Sequence, residues 1–132
     1  MSIKTLDHVN IRTAKLQETY AFYTEVLGLT LTAPAGIGDF KMGAWLCDQT
    51  QRAVVHVGST DARYGDGKEG TPAAQGSGAV HHVAFECGDY EGMHRDLVSK
   101  GYPVRTNEVT SIGLRQIIIQ DPNGITVELN FR

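Results

Sequence analysis

The chain repeats itself, and the repeat limits what it can fold into. Asp7-His8-Val9-Asn10-Ile11 lines up with His81-His82-Val83-Ala84-Phe85, and Val54-Val55-His56-Val57 lines up with Thr126-Val127-Glu128-Leu129. The intervals between these anchors agree. His8 to Gly28 is 20 residues and His82 to Gly101 is 19; His8 to His56 is 48 and His82 to Glu128 is 46. Duplicated units of matching length pack as pseudo-symmetric halves.

Each unit reads as strand, helix and three further strands. Ile3 to Arg12 alternates, with Val9 and Ile11 on one face and His8, Asn10 and Arg12 on the other. Leu16, Tyr20, Tyr23 and Leu27 have helical spacing, and Gly28 fits the C-terminal cap. Gly28 to Ala33 reads as a short strand and Pro34 to Gly38 as a loop. Phe40 to Cys47 and Ala53 to Gly58 read as a hairpin around Asp48-Gln49-Thr50-Gln51. In the second unit Val80 to Glu86 alternates, with Val83 and Phe85 opposite His82, Ala84 and Glu86. Tyr90, Met93, His94, Leu97 and Val98 form a helical stripe that ends at Gly101. Tyr102 to Thr106 reads as a strand. Leu114 to Gln120 and Ile125 to Phe131 read as a hairpin around Asp121-Pro122-Asn123-Gly124, a strong turn signal.

Between the units, Ser59 to Gly78 is polar, glycine-rich and aperiodic, and reads as a linker or mobile loop. The expected organisation is one domain over 1–132, with module one at about 1–58, the linker at about 59–78 and module two at about 79–132. The expected fold class is α+β, with two tandem βαβββ modules whose curved mixed sheets enclose a metal-binding cleft.

Composition narrows the function classes. At 132 residues the chain is long enough for a sizeable core. A net charge of -3 and the lack of a basic run argue against nucleic acid. No stretch approaches 18 apolar residues, so no membrane span is expected, and the N-terminus has no signal-peptide h-region. Cys47 and Cys87 are too few for a disulfide framework and match no zinc motif, which suggests reduced thiols in the cytoplasm.

The chemistry is carried by four positions that the repeat pairs: His8 with His82, and His56 with Glu128. Each adjoins apolar residues of the opposite strand face: Val9, Val83, Val55 and Val57, and Val127 and Leu129. If the modules curl around a cleft, the four converge on it. Imidazole and carboxylate suit one divalent first-row ion per site, such as Fe, Ni, Zn, Mn or Co. Three or four such ligands leave open positions for substrate oxygens. His56 is either the fourth ligand or an acid or base beside the metal. His81 has no symmetry mate among these residues and should point away. His94 falls in the second helix, as a packing or surface residue. Asn10 and Arg12 share the face of His8 and are candidate substrate-binding residues.

The stretches LDHVNIRT, FYTEVLGL, HHVAFE and QDPNGITVELNF resemble the vicinal oxygen chelate superfamily, which includes glyoxalase I, methylmalonyl-CoA epimerase, extradiol dioxygenases and fosfomycin resistance proteins. The resemblance spans essentially the whole chain. It implies His8, His82 and Glu128 as metal ligands. Glyoxalase I commonly has glutamate or glutamine where this chain has His56, which separates it from that enzyme. Arg12 matches an arginine that binds the glutathione carboxylate in glyoxalase I, while a salt bridge to its symmetry mate Glu86 is the other reading. The resemblance further implies a homodimer acting on a small molecule. The expected function is metal-dependent proton transfer, an isomerase or lyase that chelates vicinal substrate oxygens, with Glu128 shuttling the proton. The alternatives are an extradiol-type ring-cleaving dioxygenase using His8, His82 and Glu128, and a thiol transferase or antibiotic-binding resistance protein.

Overall fold

A computed structural model describes residues 4–34, 36–61, 76 and 80–132. The chain divides into two compact units, 1–74 and 75–132. In the first, β1 (Val9–Thr13) leads to α1 (Leu16–Ala21), whose last turn widens into a π-helix over Phe22–Val26. β2 (Thr30–Thr32), β3 (Gly43–Cys47) and β4 (Ala53–Ser59) follow. The four strands form one sheet in the order β1-β4-β3-β2, with β1 parallel to β4 and the other pairs antiparallel. The second unit repeats the plan with β5 (Val83–Cys87), α2 (Tyr90–Ser99), β6 (Arg105–Val109), β7 (Leu114–Gln120) and β8 (Thr126–Phe131), in the order β5-β8-β7-β6. The expected βαβββ unit is therefore present twice.

Strand register repeats along with strand order. Val9 pairs with Val55 and Asn10 with His56; in the second unit Val83 pairs with Val127 and Ala84 with Glu128. The turns repeat too. Asp48 Oδ1 accepts from the backbone N–H of Thr50 (2.8 Å) and Arg52 (3.2 Å), and Asp121 Oδ1 accepts from Asn123 (2.8 Å) and Ile125 (2.9 Å). The fourth position of each turn has positive φ, 69° at Gln51 and 77° at Gly124.

Alternation along each central strand sorts its side chains. Val55 and Val57 are buried on β4, as are Val127, Leu129 and Phe131 on β8, while His56 and Glu128 project from the opposite face. Helices cover the apolar faces. α1 packs on β4, and the Tyr90 ring of α2 meets Phe131 edge-on at 5.3 Å. The face carrying the candidate ligands is thus the one the helix leaves uncovered in each unit.

Several expectations shift. The strand expected at Tyr102–Thr106 begins at Arg105 instead. Tyr102 N–H donates to the Leu97 carbonyl (3.1 Å), closing α2, and Pro103 has no N–H, so neither can open the ladder. Phe22 and Val26 are buried although α-helical spacing omits them. The π turn, with Leu27 N–H reaching Phe22 O at 3.2 Å, rotates them inward. Val98 is exposed, and the inward positions of α2 are Tyr90, Gly92, Met93, His94 and Leu97. Gly28 and Gly101 do end their helices with φ of 77° and 79°. Of the expected linker, Ser59 belongs to β4, and 62–75 and 77–79 lie outside the described residues, as does Ile3. Among the described residues no helix is long and apolar enough to cross a membrane.

Candidate metal centre

His8 and His82 stand immediately before β1 and β5, rather than within them. Each unit brings its own two candidate residues together, in different ways.

In the first unit His8 and His56 stack face to face, with ring centroids 3.7 Å apart and planes 9° from parallel. Trp45, the cross-strand neighbour of His56, covers the other face of His56 at 4.7 Å and 13°. His56 is therefore the middle ring of three. Asp7 Oδ2 lies 2.6 Å from His8 Nδ1, an arrangement that fixes the ring and leaves Nε2 as its outward donor. Two imidazoles can ligate one ion only if that ion lies in both ring planes. Nearly parallel stacked planes do not meet at such a point, so the pair as it stands presents one ligand, not two.

Burial pushes the His56 imidazole below its ordinary pKa, and the neighbouring His8 adds to the depression. Folding then excludes a proton that the unfolded chain accepts. This contribution is fully present above the ordinary imidazole value of 6.5 and is lost as pH falls below it toward the depressed folded value. Urea denaturation at pH 7.5 and at pH 5.5 should show lower stability at the acidic pH, with a smaller difference in His56→Gln. An equal difference in both proteins would show that the stack does not exclude the proton.

In the second unit His82 Nε2 stands 3.5 Å from Glu128 Oε2. Donor atoms about 2.0–2.2 Å from a zinc-like ion at a tetrahedral angle stand roughly 3.3–3.6 Å apart, so this pair fits two positions around a metal. The other Glu128 oxygen, Oε1, accepts from Gln116 Nε2 at 2.6 Å. Gln116 Nε2 also reaches Asn130 Oδ1 (3.0 Å), and Gln116 Oε1 accepts from Asn107 Nδ2 (2.7 Å). His81 Nδ1 is 3.0 Å from His82 Nδ1, so the two neighbouring histidines share a proton-mediated contact on the side of His82 away from Glu128. His94 stacks on Tyr90 of its own helix, as a packing residue.

Arg12 Nη2 donates to the Thr60 carbonyl at 2.6 Å, and Asn10 is exposed beside His56 on β1. Among the described residues no three His, Cys, Asp or Glu side chains are gathered into a metal-binding group. Sequence reasoning missed Trp45, Gln116 and Asn107. The hairpin register could have found them. Trp45 sits opposite His56, and Gln116 sits opposite both Asn107 and Asn130.

Three solved structures show the likeness of the fold. A glyoxylase/bleomycin resistance protein/dioxygenase domain from Frankia sp. EAN1pec is 18% identical, with 98% of this chain and 93% of that one covered and a TM-score of 0.71. A lactoylglutathione lyase from Agrobacterium tumefaciens is 17% identical, with 98% and 95% covered and a TM-score of 0.66. A virulence protein from Salmonella typhimurium is 16% identical, with 99% and 98% covered and a TM-score of 0.69. No curated protein matches the chain. The model of one family matches residues 5–129, nearly the whole length of both βαβββ units. The chain belongs to the Glyoxalase/Bleomycin resistance protein/Dioxygenase superfamily.

Proposed function

We propose that this protein is a divalent-metal-dependent enzyme that moves a proton on a small substrate with adjacent oxygens. The observation that carries the reading is the His82–Glu128 pair, with donor atoms at metal-ligand separation on the sheet face that α2 leaves open. His8, whose ring Asp7 fixes, is a further candidate ligand in this reading. A bound divalent ion stabilises negative charge developing on the substrate oxygens. Glu128 is the proton carrier: Gln116 holds Oε1, and Oε2, once released from the ion, would take the proton. His56, kept neutral by its burial between two rings, serves as a second proton acceptor rather than a fourth ligand. Asn10 and Arg12 orient the substrate. The free thiols of Cys47 and Cys87 support a reducing cytoplasmic setting, and membership of the superfamily supports a homodimer.

The test has two parts. Metal analysis of the purified protein, followed by titration of the apo form, should find one tightly bound divalent ion per site. In D2O the loaded protein should then exchange the C–H proton of a substrate with vicinal oxygens, such as the hemithioacetal of methylglyoxal and glutathione, read by proton NMR. No metal uptake would sink the proposal. Uptake without exchange on any such compound would leave the metal and remove the proton transfer.

One observation favours a second reading. A stacked His56 leaves two histidines and one carboxylate, the ligand set of non-haem iron(II) oxygenases. Oxygen uptake with catechols under iron(II) would place the protein there.

A further inference from the structure

The second unit contains a polar chain that runs across three strands and ends on Glu128. Asn107 on β6 donates to Gln116 Oε1 on β7, and Gln116 Nε2 donates to Glu128 Oε1 on β8, at 2.7 and 2.6 Å. Gln116 is 9% exposed, so its amide does not trade these partners freely for water. Asn107 sets the orientation of the amide. Its N–H2 faces the Gln116 oxygen, which turns the Gln116 nitrogen toward Glu128. The nitrogen is shared with Asn130 Oδ1 at 3.0 Å, which pins the side chain from a second direction.

The first unit has no counterpart. Register places Gly43 opposite Gly58, as Gln116 is placed opposite Asn130. A Cβ at position 43 would stand 2.5 Å from the Val57 carbonyl oxygen, so no side chain fits there. The chain is therefore not a generic property of the repeat. It occurs only where the repeat carries a carboxylate.

We propose that Gln116 is a positioning residue for Glu128, with Asn107 orienting Gln116 in turn. By occupying Oε1, Gln116 leaves Oε2 as the oxygen facing His82 and makes Glu128 a one-oxygen ligand with a fixed carboxylate plane. This rests on the reading of Glu128 as a metal ligand. Partners of this kind change metal affinity by about 10–100-fold when removed.

Cobalt(II) is titrated into the apo protein and followed by its visible absorption, in wild type, Gln116→Leu, Asn107→Ala, Glu128→Ala and the Gln116→Leu/Glu128→Ala double variant. Gln116→Leu should weaken binding about 10–100-fold, and Asn107→Ala, at an exposed position, by a smaller factor in the same direction. The double variant should bind no more weakly than Glu128→Ala alone, because Gln116 acts through the carboxylate. Unchanged affinity in both Asn107→Ala and a folded Gln116→Leu would overturn the inference, as would an equal loss from Gln116→Leu with and without Glu128. If Gln116→Leu does not fold, Asn107→Ala decides alone. Failure of wild type to bind cobalt removes the metal reading itself, a result distinct from wild-type binding that is indifferent to Gln116.

Discussion

Glu128→Ala should lower metal affinity by more than about 100-fold, above the upper end of what losing an outer partner of a ligand costs. Each tenfold loss corresponds to about 1.4 kcal/mol, so the expected deficit exceeds about 2.7 kcal/mol. The carboxylate is the only anionic donor among the four candidate ligands, and its attraction to a divalent ion has no substitute in the three imidazoles. The variant should still fold. Glu128 is only half-buried, and Gln116 Nε2 keeps Asn130 Oδ1 as an acceptor at 3.0 Å when the carboxylate is gone. No buried donor is stranded, which is the usual route to a large folding penalty. Asn130→Ala, on the same strand and face, is the control and should bind metal much more tightly than Glu128→Ala. Isothermal titration of the apo proteins with zinc or nickel measures both. Wild-type affinity in Glu128→Ala would remove this residue from the ligand set and the proton-transfer reading with it.

The fold was legible because the sequence carries the repeat twice over, in its anchors and in its punctuation. His8 and His82 mark the same register, Gly28 and Gly101 cap the same helix, and Asp48 and Asp121 open the same turn. What was not legible depends on partners outside the local pattern. The start of β6 depends on where Tyr102 spends its N–H, which periodicity does not register. Phe22 and Val26 turn inward because a backbone ring widens, and no side-chain spacing announces that. At the site, the correspondence of His8 with His82 and of His56 with Glu128 followed from counting. The difference between the pairs did not. His56 is drawn into a stack by Trp45 from a neighbouring strand, and Glu128 is held by Gln116 from another. Both are cross-strand contacts, visible only once hairpin register is known. The question of whether residue 56 is a ligand thus becomes one about ring planes, because stacked His8 and His56 do not both reach one ion.

The turn that leads into the Glu128 strand should be the most sensitive single point in the second unit's backbone. Asp121 is 5% exposed, and its Oδ1 accepts from the Asn123 and Ile125 N–H groups at 2.8 and 2.9 Å. Its Oδ2 takes the Asn123 side-chain amide at 3.3 Å. Asp121→Ala removes both acceptor oxygens and these three hydrogen bonds, and leaves backbone donors facing a site too enclosed for water to serve them well. Hydrogen bonds to a charged group contribute about 1.5–3 kcal/mol each, and stranded buried donors cost about 1–3 kcal/mol each, so the expected loss is about 3–5 kcal/mol. Such a loss takes up much of the stability of a typical domain, about 5–15 kcal/mol. The first unit supplies an internal comparison. Asp48 plays the same part in the same turn, but water reaches its surroundings, and Thr50 and Arg52 N–H can be hydrated when it is removed. Asp48→Ala should therefore cost far less. Asp121→Asn keeps a neutral acceptor of the same shape for the two backbone bonds and should recover part of the loss. Urea denaturation followed by circular dichroism ranks the three. Equal losses for Asp48→Ala and Asp121→Ala would mean that burial is not what gives Asp121 its weight. Metal affinity in a folded Asp121→Asn should match wild type, since the substitution leaves the Gln116–Glu128 contact in place.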